Sequence, residues 1–199
     1  MRILVIGGSG TIGKAIVKEL STRHEVMVAG RTHGEVQVDI NDIQSIRNVY
    51  KETRNLDSVI IASGSVHFGL LAEMTDELYQ KGLQNKLMGQ VNVVLEGIKH
   101  LNDRGSFTLT SGILNRSPIV LGSSAAMVNG ALDGFVISSA IELPRGIRIN
   151  VVSPTVITEA MEGYAPYFRG FKPVSACDAA LAYAKSVEGA QSGQIYIVD

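Results

Sequence analysis

A doubly wound α/β fold, a parallel sheet of about seven strands with helices on both faces, is what this 199-residue chain predicts. Three observations carry that prediction. A strand runs straight into a glycine-rich turn within the first thirteen residues, Met1-Arg-Ile-Leu-Val-Ile-Gly-Gly-Ser-Gly-Thr-Ile-Gly13. Apolar runs then alternate with amphipathic stretches to the end of the chain, as parallel strands joined by helical crossovers require. The strand segments are also continuously apolar, the pattern of strands covered on both faces.

The elements follow in order. Arg2–Ile6 is the first strand. Gly7, Gly10 and Gly13 fall at three-residue spacing, and Gly8-x-Gly10-x-x-Gly13 also satisfies the dinucleotide-binding fingerprint. One glycine lets the chain turn out of the strand, and one lets backbone N–H groups approach a pyrophosphate. The third lets the next helix pack close to the sheet with its positive end toward the phosphates. Such a pattern alone also serves purely conformational turns. Here a strand precedes it and an amphipathic helix (Thr11–Ser21, with Ile12, Ala15, Ile16 and Leu20) follows, so a nucleotide loop is expected.

Glu25–Ala29 is the second strand, ended by Gly30, and Glu35–Asp39 a short third one. The helix Ile43–Thr53 is expected to turn Ile43, Ile46, Val49 and Tyr50 inward. Asp57–Ala62 is the fourth strand, a long helix spans about Asp76 to His100, and Ser106–Thr110 is the fifth strand. The helix Ser123–Glu142, which Ser123 or Ser124 would cap, is stopped by Pro144 and Gly146. Arg148–Val152, the helix Ala176–Ser186 and the strand Gln194–Val198 complete the chain. No repeat or linker interrupts the pattern, so residues 1–199 read as one dinucleotide-binding domain.

Composition narrows the function. Hydrophobic residues make up 45% and charged residues 19%, with a net charge of −1 and no basic stripe, which argues against a nucleic-acid partner. No apolar run reaches membrane-spanning length, and a first strand at residue 2 leaves no room for a signal peptide, so a cytoplasmic protein is expected. Cys177 is the single cysteine, and the four histidines are scattered without ligand spacing. Neither a disulfide nor a metal is expected.

Ala131-Leu-Asp-Gly-Phe-Val136, followed by Ile141-Glu-Leu-Pro-Arg-Gly-Ile-Arg-Ile-Asn-Val-Val-Ser-Pro154, resembles a well-defined part of the short-chain dehydrogenase/reductase family. In that family this part is the helix carrying the catalytic tyrosine and the strand ending in a Pro-Gly turn. Asp39-Ile40 resembles the family's adenine-contacting acid, and Ser192-Gly-Gln-Ile-Tyr-Ile-Val-Asp199 resembles its final strand. The resemblance covers almost the whole chain and implies a Rossmann fold, a nicotinamide cofactor and hydride transfer. It also implies where the cofactor lies: Gly7, Ser9, Gly10, Thr11, Ile12 and Gly13 in the loop, then Arg31 and Thr32 after the second strand. Asp39 and Ile40 follow, with Ala62, Ser63 and Gly64 after the fourth strand, and finally Asn129, Pro154, Ile157 and Thr158.

The same resemblance breaks at the catalytic positions. The family holds the substrate oxygen with a serine, exchanges a proton through a tyrosine, and uses a lysine to lower the tyrosine pKa. Aligned on Ala131-Leu-Asp-Gly, Ala125 falls at the tyrosine and Asn129 at the lysine, and no tyrosine occurs between Tyr79 and Tyr164. Gly112 falls at the serine, with Ser111 just before it. Aligned through Gly89, Lys86 falls at the family's asparagine.

Ser111, Lys86 and Asn129 are therefore the catalytic candidates, each with a plainer alternative. Lys86 is a displaced proton donor, a phosphate contact or a solvated helix lysine, and Ser111 is a substrate contact or part of a turn. Asn129 could bond a ribose hydroxyl in the lysine's stead. Arg31 after Gly30, where NAD-preferring relatives carry a carboxylate, implies NADP(H) over NAD(H). Tyr164, Tyr167 and Phe168 either line the substrate pocket or pack under a lid. Two readings result: an oxidoreductase with a nonstandard site acting on an unidentified small carbonyl, alcohol or conjugated substrate, or a catalytically silent NADP(H) sensor. The apolar excess on the helices around Leu87–Ile98 and Val128–Val136 implies a homodimer or homotetramer.

Overall fold

Side chains of alternate strand residues enter two separate cores, which is how the parallel sheet comes to be covered twice. The computed structural model describes residues 1–199 and holds seven parallel strands. These are β1 (Arg2–Ile6), β2 (Glu25–Gly30), β3 (Val36–Gln37), β4 (Leu56–Ile61), β5 (Leu101–Thr110), β6 (Arg148–Pro154) and β7 (Ile195–Val198), in the sheet order β3-β2-β1-β4-β5-β6-β7. Leu4 and Ile6 face one side, where Ile46, Val49 and Tyr50 of α2 (Ile43–Glu52) join Val93 and Val94 of α4 (Gly89–Gly97) and Val128, Leu132 and Val136 of α5 (Ser123–Ser139). Ile3 and Val5 face the other side, against Ile16 and Leu20 of α1 (Thr11–Leu20) and Ala180, Tyr183 and Val187 of α7 (Ala176–Glu188). Two shorter helices, α3 (Asp76–Gly82) and α6 (Met161–Tyr164), lie in the connections. No helix is long and apolar enough to cross a membrane.

The expected elements are present, with boundary shifts that have local causes. The third strand shrinks to two residues because it pairs only with the end of β2. The fifth lengthens to Leu101, through a register irregularity opposite Leu56–Ser58. Ile43 is exposed rather than inward, since it opens α2 beside its cap Asp42, before the helix reaches the sheet. Neither Ser123 nor Ser124 caps α5: Ser123 Oγ pairs with Tyr79 Oη at 2.9 Å and Ser124 is buried.

The largest departure lies in the segment read as one helix from Asp76 to His100. There α3 gives way to a π-helical turn, Leu83–Met88, before α4 begins. A π turn widens the helix and frees backbone carbonyls, and such turns concentrate at functional sites. Gln90 secures this one. Its amide nitrogen donates to the Lys86 carbonyl (3.1 Å) and the Thr110 carbonyl (2.9 Å), and its oxygen accepts from the Thr110 N–H (2.9 Å). The π turn is thereby tied to the carboxyl end of β5.

In the core beneath it, the Tyr50 hydroxyl donates to the Val93 carbonyl at 2.7 Å with the ring fully buried. Tyr50→Phe is expected to lower stability by about 1 kcal/mol, the net worth of a neutral hydrogen bond. Urea denaturation checks this through a lower midpoint at unchanged m-value.

Candidate active site

The carboxyl ends of β1, β4, β5 and β6 surround the principal cavity, the edge where open α/β sheets bind ligands. It encloses about 440 Å³. Ile12 stands at its glycine-loop end, Ala62, Ser63 and Gly64 follow β4, and Pro154 and Ile157 follow β6. Lys86, Ser111 and Asn129 form its polar floor. Nine of the residues expected from the sequence thus share one wall system.

The glycine loop has the shape a pyrophosphate needs. Gly7 has φ +85°, and a Cβ there would overlap the Ala62 carbonyl; a Cβ on Gly13 would overlap the Gly7 carbonyl oxygen. No side chain caps α1, whose N-cap is Gly10, so its first-turn N–H groups are left for a ligand. Ser9, Gly10 and Thr11 line an adjoining groove with Lys14 and Lys18. These residues fit the diphosphate of a dinucleotide.

The other expected cofactor positions are spread along the sheet edge. Arg31 and Thr32 are exposed in the loop beyond β2. The Asp39 carboxylate accepts from both the backbone and side-chain nitrogens of Asn41, each at 2.9 Å. Asn41 in turn accepts from Asn85 of the π turn at 2.9 Å, and Asn85 receives the Ser65 N–H at 2.6 Å. Ile40 is buried beneath Gly89, where a Cβ would stand 2.9 Å from the Ile40 Cδ1. It is a core residue at the start of α4. Thr158 is exposed and lies off the cavity wall, because it opens a short 3₁₀ turn, Thr158–Ala160, that carries it outward.

At the floor, Lys86 and Asn129 meet across the two helices. Lys86 Nζ donates to Asn129 Oδ1 at 2.8 Å and to the Ser111 carbonyl at 2.9 Å. Two glycines make room for this. A Cβ on Gly64 would stand 2.8 Å from Lys86 Cγ, and one on Gly112 would stand 3.2 Å from Asn129 Nδ2. A serine at 112 would crowd the Asn129 amide. The lysine is half-buried, and desolvation pulls its pKa down to about 8, partly offset by the Asp133 carboxylate. Ser111 Oγ is buried without a partner, although the residue lines the cavity.

Asp133, one turn after Asn129 on α5, is itself buried. One of its oxygens accepts from Asn115 Nδ2 at 2.7 Å and lies 3.8 Å from Arg116 Nη1, while the other has no partner. Neither Asp133 nor Gln90 was legible as part of the site, because polar residues on apolar helices look alike in sequence. Their spacing is the one usable signal: Gln90 lies four residues after Lys86, and Asp133 four after Asn129.

The upper walls are apolar. Val66, Phe68, Leu114, Ala125, Val156 and Phe168 line them, and no carboxylate does. Tyr164 and Phe168 also line the cavity, their rings packed edge to face with centroids 6.0 Å apart; Tyr167 does not reach it. Exposed Cys177 stands apart, in the groove beside Lys14 and Lys18.

Sheet order, glycine loop and cleft together define a dinucleotide-binding protein of the Rossmann class. A family model described as Enoyl-(Acyl carrier protein) reductase matches residues 9–191. The chain belongs to the short-chain dehydrogenase/reductase family. It is similar to protein lin1944 of Listeria innocua, with 50% identity, a TM-score of 0.99 and full coverage of both chains. A small-chain dehydrogenase in complex with NADPH is 27% identical with a TM-score of 0.88, covering all of this chain and 96% of that one. Versicolorin reductase 1 of Aspergillus parasiticus is 27% identical over 186 residues, 79% of this chain and 70% of that protein.

Proposed function

We propose that this protein is an NADPH-dependent reductase of small, uncharged carbonyl or conjugated substrates, with Lys86 as its proton donor. The observation that carries the reading is the Lys86–Asn129 contact at the cavity floor. The family's lysine position on α5 holds an asparagine, and the amine reaches the same place from the π turn. The cavity walls support an apolar substrate, and the NADPH-bound relative supports the cofactor.

Bound along the sheet edge, the reduced nicotinamide would supply the hydride. The chain's own residues do the rest. The glycine loop and α1 hold the diphosphate, and Phe68 and Phe168 exclude water from the upper cavity. Asn129 and the Ser111 carbonyl fix two of the three ammonium hydrogens, which leaves the third for the substrate oxygen. The Ser111 hydroxyl, buried beside it, has no protein partner. With a pKa near 8, the ammonium is a stronger acid than an ordinary lysine and still protonated at neutral pH. NADPH oxidation measured against a panel of apolar aldehydes, ketones and enones tests the reading. No turnover with any of them, by a protein that binds NADPH, would sink it.

Two further expectations belong to this proposal. NADPH binds more tightly than NADH, because Arg31 follows Gly30 with no acid at the end of β2 and offers a fork of donors to a 2′-phosphate. Arg31→Ala narrows the gap by ~1.5–3 kcal/mol, the range for charge-assisted hydrogen bonds. Isothermal titration with both cofactors measures it, and equal affinities in the wild type would contradict it.

The protein also forms a homodimer or homotetramer through α4 and α5. Val94, Val128, Leu132 and Val136 are consumed by the intrachain core, but Leu95, Met127 and Ile137 remain exposed on these helices, as does Met88 at the end of the π turn just before α4. Gly134 has nothing within 4 Å of its Cβ position, so another backbone can approach closely. Light scattering at micromolar concentration is expected to give at least twice the 21.3 kDa chain mass.

A further inference from the structure

The Lys86 amine is built for more than carrying a proton. Its two acceptors, the Ser111 carbonyl and Asn129 Oδ1, match the two hydrogens of a neutral amine, and no third protein acceptor binds it. Deprotonation therefore keeps both hydrogen bonds and turns the remaining tetrahedral direction into a lone pair on a residue that lines the cavity. Desolvation makes that form abundant. With its pKa lowered to about 8, Lys86 is neutral far more often near neutral pH than an ordinary lysine. Desolvated lysines of this kind are the ones that attack carbonyl carbon.

The surroundings select the partner. Beyond the polar floor the cavity walls carry Val66, Phe68, Leu114, Ala125, Val156 and Phe168, and neither a carboxylate nor a second cation lines the cavity, which favours an uncharged molecule over a charged one. Ser111 borders the same cavity, and its buried hydroxyl has no protein partner.

We propose that Lys86 is a carbonyl-capturing amine, which condenses reversibly with a small apolar aldehyde in the cavity to form a protonated imine. The step balances without an oxidant or reductant. The ammonium first gives one proton to water, and the lone pair forms the N–C bond as the carbonyl π pair moves to oxygen. That oxygen takes a proton from the now cationic nitrogen, which gives a neutral carbinolamine and restores the nitrogen lone pair. The nitrogen lone pair then expels the hydroxyl, which leaves as water after taking up a second proton. Overall, two of the three ammonium hydrogens depart with the carbonyl oxygen, and the positive charge stays on nitrogen. The remaining N–H keeps one of its two acceptors. This activity goes beyond the reductase reading, since it requires neither cofactor nor turnover.

Benzaldehyde with sodium borohydride tests it on the full chain without NADPH. Borohydride fixes the imine as a benzyl-lysine that mass spectrometry locates. The expected result is one benzyl group per chain on Lys86 at pH 7.5, formed at least about ten times faster than on surface lysines. Its initial rate should rise through pH 8 and level off. Lys86→Arg should remove that adduct and leave the slow surface labelling unchanged. Labelling spread evenly over surface lysines in the wild type would overturn the proposal, as would a Lys86 rate that keeps climbing toward pH 10. Both readouts come from the wild-type protein, so they stand even if the variant fails to fold. NADPH turnover is measured separately, so either proposal can fail alone.

Discussion

Lys86→Met is expected to lower carbonyl reduction by about 10²–10⁴, the usual worth of a positioned general acid, while NADPH affinity changes little. Methionine keeps the length and apolar stem of the side chain, so the packing against Gly64 survives and only the amine is lost. The pH dependence carries the same information with a definite sign. Reduction needs the ammonium, so its rate is full below pH 8 and falls as pH rises through about 8, where Lys86 loses its proton. Oxidation of the corresponding alcohol needs the neutral amine and therefore rises through the same pH. An ordinary lysine would place both inflections more than two units higher, near 10.4. Steady-state kinetics of the wild type and Lys86→Met between pH 6 and 10 check both statements. A variant within a few-fold of the wild type would remove Lys86 from the chemistry.

The π turn explains both what the sequence revealed and what it hid. Strands such as Arg2–Ile6 and Asp57–Ala62 are legible because burial on two faces forces unbroken apolar runs, and only Gly7 and Gly13 allow the close approaches of the nucleotide loop. Leu83-Gln-Asn-Lys-Leu-Met88 carries no comparable mark. Its composition is that of an ordinary helix, and the widened turn is imposed from outside by Gln90 gripping Thr110. A contact 20 residues away in sequence has no periodicity to betray it. The consequence for the site is direct. Reading 76–100 as one regular helix leaves the direction of Lys86 undetermined, and so leaves a solvated lysine as good as a catalytic one. Thr158 and Ile40 fail to reach the cavity for the complementary reason, since local backbone rather than residue type decides where they point.

The proposed exchange of Lys86 and Asn129 between helices makes a sharper test, because two variants that look equally family-like should behave in opposite ways. Ala125 lines the cavity, so Ala125→Tyr projects a phenol into it. Asn129→Lys would supply the charge that lowers the phenol's pKa. With Lys86 still present, however, the new ammonium stands where Asn129 Oδ1 accepts a hydrogen bond at 2.8 Å. Two ammonium groups about 4 Å apart repel by about 4 kcal/mol at the effective dielectric of a partly exposed site. Moreover, Lys86 loses an acceptor in exchange for that repulsion. The double variant Ala125→Tyr/Asn129→Lys is therefore expected to lose stability and to reduce ketones no better than the wild type. Adding Lys86→Asn removes the second charge and returns an amide to the π turn, where it can accept from the new lysine. The triple variant should recover the stability lost by the double and reduce apolar ketones at least about tenfold faster than it, as a phenol paired with a single ammonium becomes the acid. Thermal melts and NADPH oxidation on the same preparations decide it. A double variant as stable and as active as the triple would show that Lys86 and residue 129 do not share one charge site.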